Sequence, residues 1–212
     1  ENCREGFLSL DDAMHDAAAG VAPVEVDQDD PVAIFYTSGT TGSPKGVVLS
    51  HGNFLANARR ILDFGLVNAP DNLLGLLPMH HAFAFMVQLI ILYSGAHITF
   101  PPSLKGPDLL ACMQETGVTL LIGVPQLFYM LHKGIFDEIG RRPLPVRFLL
   151  KGLLRLSGAL HPFGINLGRL VFASVHRKFG GRLRILCSGG ARLDPAIARD
   201  FLALGFTMTE GY

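Results

Sequence analysis

The sequence predicts an α/β fold, a layered and mostly parallel sheet flanked by helices. From about residue 72 onward, short apolar runs typical of strands alternate with helical segments of about ten residues. Hydrophobic residues make up 49% of the 212 residues and charged residues 17%, so the chain can bury a sizeable core and a mainly disordered state is excluded. Basic and acidic residues number 18 each, which argues against a general nucleic-acid binder.

The first part of the chain divides into an acidic connector and a hairpin. Residues 1–30 carry nine acidic side chains and one basic side chain, and we expect a connector with a short helix over 8–17. A polar turn then separates two short apolar runs, a pattern that predicts a hairpin. The predicted elements are strands over 32–36 and 47–49 and an amphipathic helix from residue 50 or 51 to about 64.

The rest of the chain alternates between the two element types. The predicted strands cover 73–77, 97–100, 118–122, 183–187 and 206–208. The predicted helices cover 83–93, 107–116, a segment beginning over 125–132, two helices within 143–178 broken around Pro162 and Gly164, and 195–204. Strands that alternate with helices in this way favour parallel pairing.

Cysteine usage and hydropathy predict a cytoplasmic location. Cys3, Cys112 and Cys187 are far apart, which provides neither a disulfide framework nor a zinc-binding spacing and is typical of a reducing compartment. No leader pattern is visible, and the longest apolar run is far shorter than the ~20 residues of a membrane-spanning helix. Because the sequence does not begin with methionine and stops straight after an apolar stretch, we expect a piece of a longer protein.

The segment from Tyr36 to Gly46 is the most informative part of the sequence. Its glycines let backbone N–H groups approach an anion closely, and its hydroxyls and lysine can donate to phosphate oxygens. Its spacing matches neither a Walker A loop nor a Rossmann glycine pattern, which disfavours a P-loop kinase or ATPase. An ordinary Gly/Ser/Thr-rich hairpin loop is the alternative. The phosphate-binding interpretation depends on Thr37, Ser38, Gly39, Thr40, Thr41, Gly42 and Lys45.

Residues 36–47, Tyr-Thr-Ser-Gly-Thr-Thr-Gly-Ser-Pro-Lys-Gly-Val, resemble the signature loop of the adenylate-forming (AMP-binding) superfamily. Its members include acyl-CoA synthetases, luciferases and the adenylation domains of peptide synthetases. Four further segments resemble later motifs of that superfamily in the same order: Pro-Met-His-His-Ala-Phe at 78–83, Gly-Val-Pro at 123–125, Ser-Gly-Gly-Ala at 188–191 and Glu-Gly-Tyr at 210–212. The resemblance implies that residues 31–212 are the central part of an AMP-binding N-terminal domain.

The resemblance also implies a reaction and a set of site residues. A carboxylate would attack ATP to give an acyl-adenylate, and a thiol would then displace AMP. The loop from Ser38 to Lys45 would hold the β- and γ-phosphates, with Thr41 and Lys45 as catalytic residues. Nucleotide contacts are implied for Gly189, Gly190, Ala191, Glu210, Gly211 and Tyr212, the tyrosine by stacking on adenine. His81 and Gly189 would lie near the substrate, and Mg²⁺ would arrive with ATP, held by phosphate oxygens and water.

Two assignments at the end of the chain remain open. Residues 206–210 also resemble a degenerate Tyr-Gly-x-Thr-Glu, in which Glu210 would be the acid linked to magnesium. The spacing from Ser188 favours Glu-Gly-Tyr instead, which would place that acid after Tyr212. The C-terminal lid domain of the superfamily would also lie beyond the chain, so we expect these residues by themselves to be inactive.

The His80–His81 pair has no third ligand at a useful spacing for a metal.

A basic stretch over 141–184 indicates the branch of the superfamily. It carries ten basic residues and no acid, and it resembles long-chain fatty acyl-CoA synthetases and acyl-carrier-protein synthetases. The implied substrates are a fatty acid, ATP and CoA, with a carrier protein as the alternative acceptor. The same stretch would suit contact with the inner surface of an anionic membrane, although a solvated basic face on core-packed helices is the competing interpretation. Another adenylating enzyme and a non-catalytic subdomain are further alternatives.

Overall fold

The structure is a computed structural model that describes Met14 and residues 22–37 and 43–211. The helix expected over 8–17 has only Met14 among the described residues, and the loop 38–42 and Tyr212 lie outside them. The predicted α/β class is confirmed, because the elements form one parallel sheet with helices on both faces and a separate hairpin.

The hairpin precedes the main sheet. Strands β1 (Pro31–Thr37) and β2 (Lys45–Ser50) pair antiparallel, as the sequence predicts. Helix α1 (His51–Asp63) follows directly, and Ser50 caps its first turn. The Ser50 hydroxyl accepts a hydrogen bond from the Asn53 N–H at 3.4 Å, while the Asn53 carboxamide oxygen accepts one from the Ser50 N–H at 3.0 Å. This reciprocal pair satisfies two backbone donors and fixes the start of the helix.

The main sheet is built from five strands with helices between them. The elements in chain order are β3 (Asn72–Leu74), α2 (Ala82–Tyr93), β4 (His97–Thr99), α3 (Gly106–Thr116), β5 (Leu120–Gly123), α4 (Pro125–Gly140), α5 (Leu144–Leu160), a 3₁₀ turn (His161–Phe163), α6 (Leu167–Val171), α7 (Ala173–Lys178), β6 (Ile185–Gly189), α8 (Pro195–Ala203) and β7 (Thr207–Gly211). The strand order is β4-β3-β5-β6-β7, and every neighbouring pair is parallel.

The stretch 143–178 departs in one respect from the prediction of two helices. The predicted break is present, with the 3₁₀ turn at Pro162 and a left-handed Gly164 at φ +77°. The second predicted helix is divided into α6 and α7 at Phe172, whose backbone leaves the helical region. The side chain of Phe172 is buried in the core. The change of backbone direction interrupts the helix, and burial of this large aromatic side chain offsets the cost.

The two faces of the sheet carry different halves of the core, because successive strand residues point to opposite faces. Leu73, Leu120 and Ile185 pack with side chains of α2. Leu74, Leu121 and Leu186, each one residue further along, pack with the side chains of α3, α4 and α8. The hairpin is attached through an aromatic cluster in which Phe35 and Phe54 both lie near Phe85 of α2, at ring-centroid distances of 6.0 and 5.4 Å.

The amino ends of the strands are joined by a buried polar network around Asp71. One carboxylate oxygen of Asp71 accepts hydrogen bonds from the Thr119 hydroxyl at 2.7 Å and from Arg184 Nε at 2.9 Å. The other accepts from the Asn68 N–H at 2.8 Å and from Arg184 Nη2. Arg184 also donates to the Leu66 carbonyl at 2.7 Å. The network therefore links β3, the start of β5 and the start of β6.

Candidate functional site

Three adjacent strands of the sheet end on glycine at their carboxyl edge. Gly123, Gly189 and Gly211 are the last residues of β5, β6 and β7. Gly123 pairs with Ser188, and Gly189 pairs with Gly211. Ligands of open α/β sheets bind outside the carboxyl ends of the strands, and glycines there let a ligand approach the backbone closely. This edge is therefore the candidate site.

Gly189 is a glycine because the ring of Phe83 occupies the space that a side chain would need. A Cβ at Gly189 would lie 2.4 Å from Cζ of Phe83 and 3.1 Å from the carbonyl oxygen of Gly211. Phe83 belongs to the first turn of α2, so this contact brings the segment at 78–83 against the end of β6. The structure thus joins two of the sequence motifs that were separate along the chain.

The residues after Gly189 form an exposed turn. Gly190 has φ +78°, a conformation that side chains with a Cβ rarely adopt. Both Gly190 and Ala191 are exposed, so backbone groups of this turn are accessible beside the strand end. The turn leads into α8, whose first N–H groups are capped by Asp194, which accepts from the Ala196 N–H at 2.8 Å.

Ser188 and Glu210 are direct partners across β6 and β7. Ser188 is completely buried, and its hydroxyl oxygen has no hydrogen-bond partner among the described residues. Glu210 is exposed, and its carboxylate accepts a long hydrogen bond of 3.5 Å from the Leu193 N–H. An unpartnered buried hydroxyl costs free energy and is uncommon in proteins, so Ser188 is a further candidate residue at this edge.

His81 lies at the start of α2, immediately before its first residue. Its side chain is exposed, makes no capping hydrogen bond, and packs beside the ring of His80 at a centroid distance of 4.2 Å. The helix start places His81 two residues from Phe83 and therefore on the Gly189 side of the sheet. Its imidazole is available to a substrate group and has no hydrogen-bond partner among the described residues.

The predicted phosphate loop connects the two strands of the hairpin. Thr37 ends β1 and Lys45 begins β2, and the two residues face each other across the ladder. The Thr37 hydroxyl donates to the Lys45 carbonyl at 3.4 Å, and both side chains are exposed. The loop residues Ser38, Gly39, Thr40, Thr41 and Gly42, like Tyr212, lie outside the described residues, so their predicted contacts stay predictions.

Sequence reasoning named the glycines of the edge but missed two of their neighbours. Phe83 belongs to the motif at 78–83, but nothing in its spacing shows that its ring fills the place of a side chain at Gly189. Ser188 reads as part of a Ser-Gly-Gly-Ala segment, with no sign of its missing hydrogen bond. The first property depends on a contact between segments about a hundred residues apart, and the second depends on how the neighbouring strands surround Ser188.

Among the described residues, no three or more His, Cys, Asp or Glu side chains are grouped so that they could hold a metal ion. Among the described residues at the carboxyl edge of the sheet, Glu210 carries a carboxylate next to the end of a strand, β7. One exposed carboxylate fits Mg²⁺ that is carried mainly by phosphate oxygens and water, because Mg²⁺ in nucleotide sites takes few protein ligands.

The order of motifs, the glycine-ended sheet edge and the hairpin loop agree with one protein family. The family of AMP-binding enzymes matches residues 4–212 of the chain, so the chain belongs to this family. The predicted membership of the adenylate-forming superfamily is confirmed.

Curated relatives within the family are fatty acid ligases. Long-chain-fatty-acid–CoA ligase 2 of Schizosaccharomyces pombe is 36% identical over 177 residues, covering 78% of this chain and 26% of that protein. Long-chain-fatty-acid–CoA ligase 1 of Saccharomyces cerevisiae is 32% identical over 207 residues, covering 86% of this chain and 29% of that protein. The chain therefore spans between a quarter and a third of the length of these relatives.

Solved structures share the fold. MatB from Rhodopseudomonas palustris, in its apo form, superimposes with a TM-score of 0.69 at 26% identity, covering 96% of this chain and 33% of that one. The N-terminal domain of FACL13 from Mycobacterium tuberculosis gives a TM-score of 0.66 at 24% identity, covering 94% of this chain and 40% of that one. At that identity, the second likeness is evidence of the fold alone.

Proposed function

We propose that the protein carrying this chain is an acid–thiol ligase that activates a long-chain fatty acid with ATP and transfers it to CoA. The observation that carries the proposal is the glycine-ended carboxyl edge, where Gly189 and Phe83 bring two family motifs into contact. The curated relatives, which are long-chain-fatty-acid–CoA ligases, support the substrate class. Residues 31–212 would supply the central part of the nucleotide-binding domain, with 1–30 as a connector.

The proposed reaction has two steps. A carboxylate oxygen of the fatty acid attacks the α-phosphorus of ATP, and the bond from that phosphorus to the pyrophosphate oxygen breaks. The sulfur of CoA then attacks the acyl carbon, AMP leaves, and the thiol proton passes to solvent. In the first step the protein chiefly positions the reactants and stabilises charge on the phosphates.

Each residue group has a separate role in this proposal. The loop from Ser38 to Lys45 holds the β- and γ-phosphates, with Lys45 supplying a positive charge at the base of β2. Gly189, Gly190 and Ala191 offer exposed backbone to the nucleotide, and Gly211 and Tyr212 continue that wall. His81 orients the substrate carboxylate from the start of α2. Mg²⁺ bound with ATP would neutralise phosphate charge, and Glu210 is the described carboxylate best placed to approach it.

We also propose that the protein is cytoplasmic and makes peripheral contact with an anionic membrane, which the surface of α5 supports. Phe148 and Leu149 are 68% and 62% exposed, and the basic Lys151 and Arg155 lie exposed on the same helix. Exposed apolar side chains beside basic ones are typical of helices that lie at a membrane surface. None of the described helices is long and apolar enough to cross a bilayer.

The test is fatty-acid-dependent ATP–pyrophosphate exchange by the protein as it is expressed, with short, medium and long acids. We expect exchange to rise with chain length and to be lost in Lys45→Ala and Thr41→Ala. Lys105→Ala is the matched control, because Lys105 is an exposed lysine away from the hairpin. No exchange with any carboxylate from a folded protein would contradict the proposal.

The thiol acceptor is tested separately. We expect CoA to release AMP from the enzyme-bound acyl-adenylate, which can be followed as acyl-CoA formation. If a phosphopantetheinylated carrier protein accepts the acyl group and CoA does not, the protein is an acyl-carrier-protein ligase instead.

A further inference from the structure

A large apolar cavity lies on the sheet face opposite α2. Its volume is about 520 Å³, and it runs between the sheet, α3 and α4 on one side and α6 and α7 on the other. Its walls are mostly hydrophobic, with Leu74, Met113, Leu121, Ile135, Phe172 and Phe179 among the apolar side chains, and the polar side chains among them include Glu138, Arg142 and Lys178. The volume lies within the range of about 300–1,000 Å³ that is usual for small-molecule sites.

The cavity is separate from the candidate active site. Leu74 and Leu121, which line it, belong to the sheet face that packs against α3 and α4. The missing side chain of Gly189 points to the other face, where it meets Phe83 of α2. The five-stranded sheet therefore stands between the cavity and the Gly189–Phe83 contact.

An empty space of this size and polarity favours an apolar occupant. Protein interiors are close-packed, and voids larger than a water molecule are few. Apolar cavities hold water poorly and bind hydrocarbon ligands, as known for engineered cavities of about 150 Å³. The space beside α4 is more than three times that volume.

Three of the residues that line the cavity form a small charged cluster whose side chains are partly exposed to solvent. Glu138 lies between Arg142 and Lys178, with 3.5 Å from its carboxylate to the Arg142 guanidinium and a second ion pair to Lys178. The hydrogen bond from Lys178 is the main cause that lowers the pKa of Glu138, which favours the charged carboxylate. The cluster has one excess positive charge, and its half-exposed side chains can receive an anionic group from solvent.

We propose that this cavity binds a long-chain fatty acid at a second site, distinct from the site of adenylation. The acyl chain lies among the apolar side chains of α3, α4 and α7, and the carboxylate lies beside Arg142 and Lys178. A single chain with one anionic end matches both the apolar wall and the excess charge. The choice of a fatty acid among such amphiphiles rests on the proposed function.

The chain offers a matched pair of glycines for the test. Gly134 lies within α4 and borders the cavity, and a Cβ there would meet nothing within 4 Å. Gly152 lies within α5, has equally free space, and does not border the cavity. Gly134→Leu therefore places a side chain at the cavity without a backbone clash, and Gly152→Leu makes the same change elsewhere.

The experiment counts the palmitate molecules bound per protein by equilibrium dialysis without ATP, using the protein as it is expressed. We expect Gly134→Leu to bind one equivalent fewer than wild type and Gly152→Leu to bind the same number. An unchanged count in Gly134→Leu would overturn the proposal. The same result is expected if another segment of the polypeptide fills the cavity, so that case also counts against the proposal. Pyrophosphate exchange is measured in parallel. The loss of one bound palmitate is expected whether or not the protein catalyses adenylation, so failure of this proposal can be distinguished from failure of the proposed function.

A charge variant provides a second test that does not fill space. Arg142→Gln should weaken the cavity site for palmitate by about tenfold, the effect of losing one charge-assisted contact. Binding of the neutral alcohol of the same chain length should stay unchanged. Equal effects on acid and alcohol, or none on either, would overturn the assignment of the carboxylate to this cluster.

Discussion

The two edges of the five-stranded sheet are built from opposite chemistry. At the amino edge, Asp71 receives four hydrogen bonds from Thr119, Asn68 and Arg184, and those from Thr119 and Arg184 join separate segments. At the carboxyl edge, three strands end on glycine and the buried hydroxyl of Ser188 has no partner among the described residues. Polar groups are satisfied within the protein at one edge and left available at the other.

The amino edge of the sheet therefore contributes mainly to stability, and the carboxyl edge is the one arranged for ligand binding. A fully hydrogen-bonded buried carboxylate stabilises one arrangement of the strands, because removing any partner leaves a desolvated charge. An edge of glycines contributes little packing and leaves backbone groups open to a ligand. We therefore expect substitutions at the amino edge to act on folding and those at the carboxyl edge to act on nucleotide use.

Asp71→Asn should have the largest effect on stability. Replacing the carboxylate leaves Arg184 without its ion pair, and we expect a loss of about 3 kcal/mol in the free energy of unfolding, at the low end for buried pairs because Arg184 is partly exposed. Urea denaturation measures the loss. Asp137→Asn is the control, since its pair with Lys133 is exposed and should be worth less than about 1 kcal/mol. Equal losses in the two variants would contradict the comparison.

Gly189→Ala should destabilise less but affect the candidate site directly. The new Cβ would lie 2.4 Å from the Phe83 ring, and we expect the ring to shift at a cost of about 1–3 kcal/mol. Gly211→Ala is the matched change on the next strand, where the nearest atom is 3.5 Å away and contact is ordinary. Phe83→Ala should cost less stability in the Gly189→Ala background than in wild type, because it removes the clash, and a strictly additive double variant would show that the two residues do not interact.

The pH dependence of the free energy of unfolding should reflect the ionisation of Asp71 at the amino edge. Burial raises the pKa of Asp71, but the hydrogen bonds from Arg184, Thr119 and Asn68 outweigh it, so the pKa is lower in the folded protein. A lowered folded-state pKa contributes stability that is present above the unfolded value, near pH 4, and is lost as the pH falls through the folded value. Denaturation at pH 7 and pH 3 should show a smaller difference in Asp71→Asn than in wild type. The same pH dependence in both would assign the effect to other groups.

Ser188→Ala should have the smallest effect, with the opposite sign to a matched change at the other edge. Removing a hydroxyl without a partner should leave stability unchanged or raise it by up to about 1 kcal/mol. Thr119→Val removes a hydroxyl that donates to Asp71 and should lower stability by about 1–2 kcal/mol. A loss of stability in Ser188→Ala comparable to that in Thr119→Val would show that the Ser188 hydroxyl is paired.

Most elements could be predicted from local sequence. Ser50 caps the start of α1 and the left-handed Gly117 ends α3, and such signals are local because capping residues act within one turn of chain. The break near Pro162 was visible for the same reason. The division at Phe172 was not, because it depends on the burial of one ring in a core formed by distant helices.

The sequence by itself determined the fold class, the family and the positions of the loop and the glycine motifs, since each depends on residue order within a short segment. Only the tertiary structure decided that Phe83 lies against Gly189, that Asp71 joins Arg184 over more than a hundred residues, and that a cavity opens beside α4. These features arise where segments far apart in the chain meet. Local propensity and spacing carry no information about such long-range contacts, because these contacts are selected by the packing of the whole sheet and its helices.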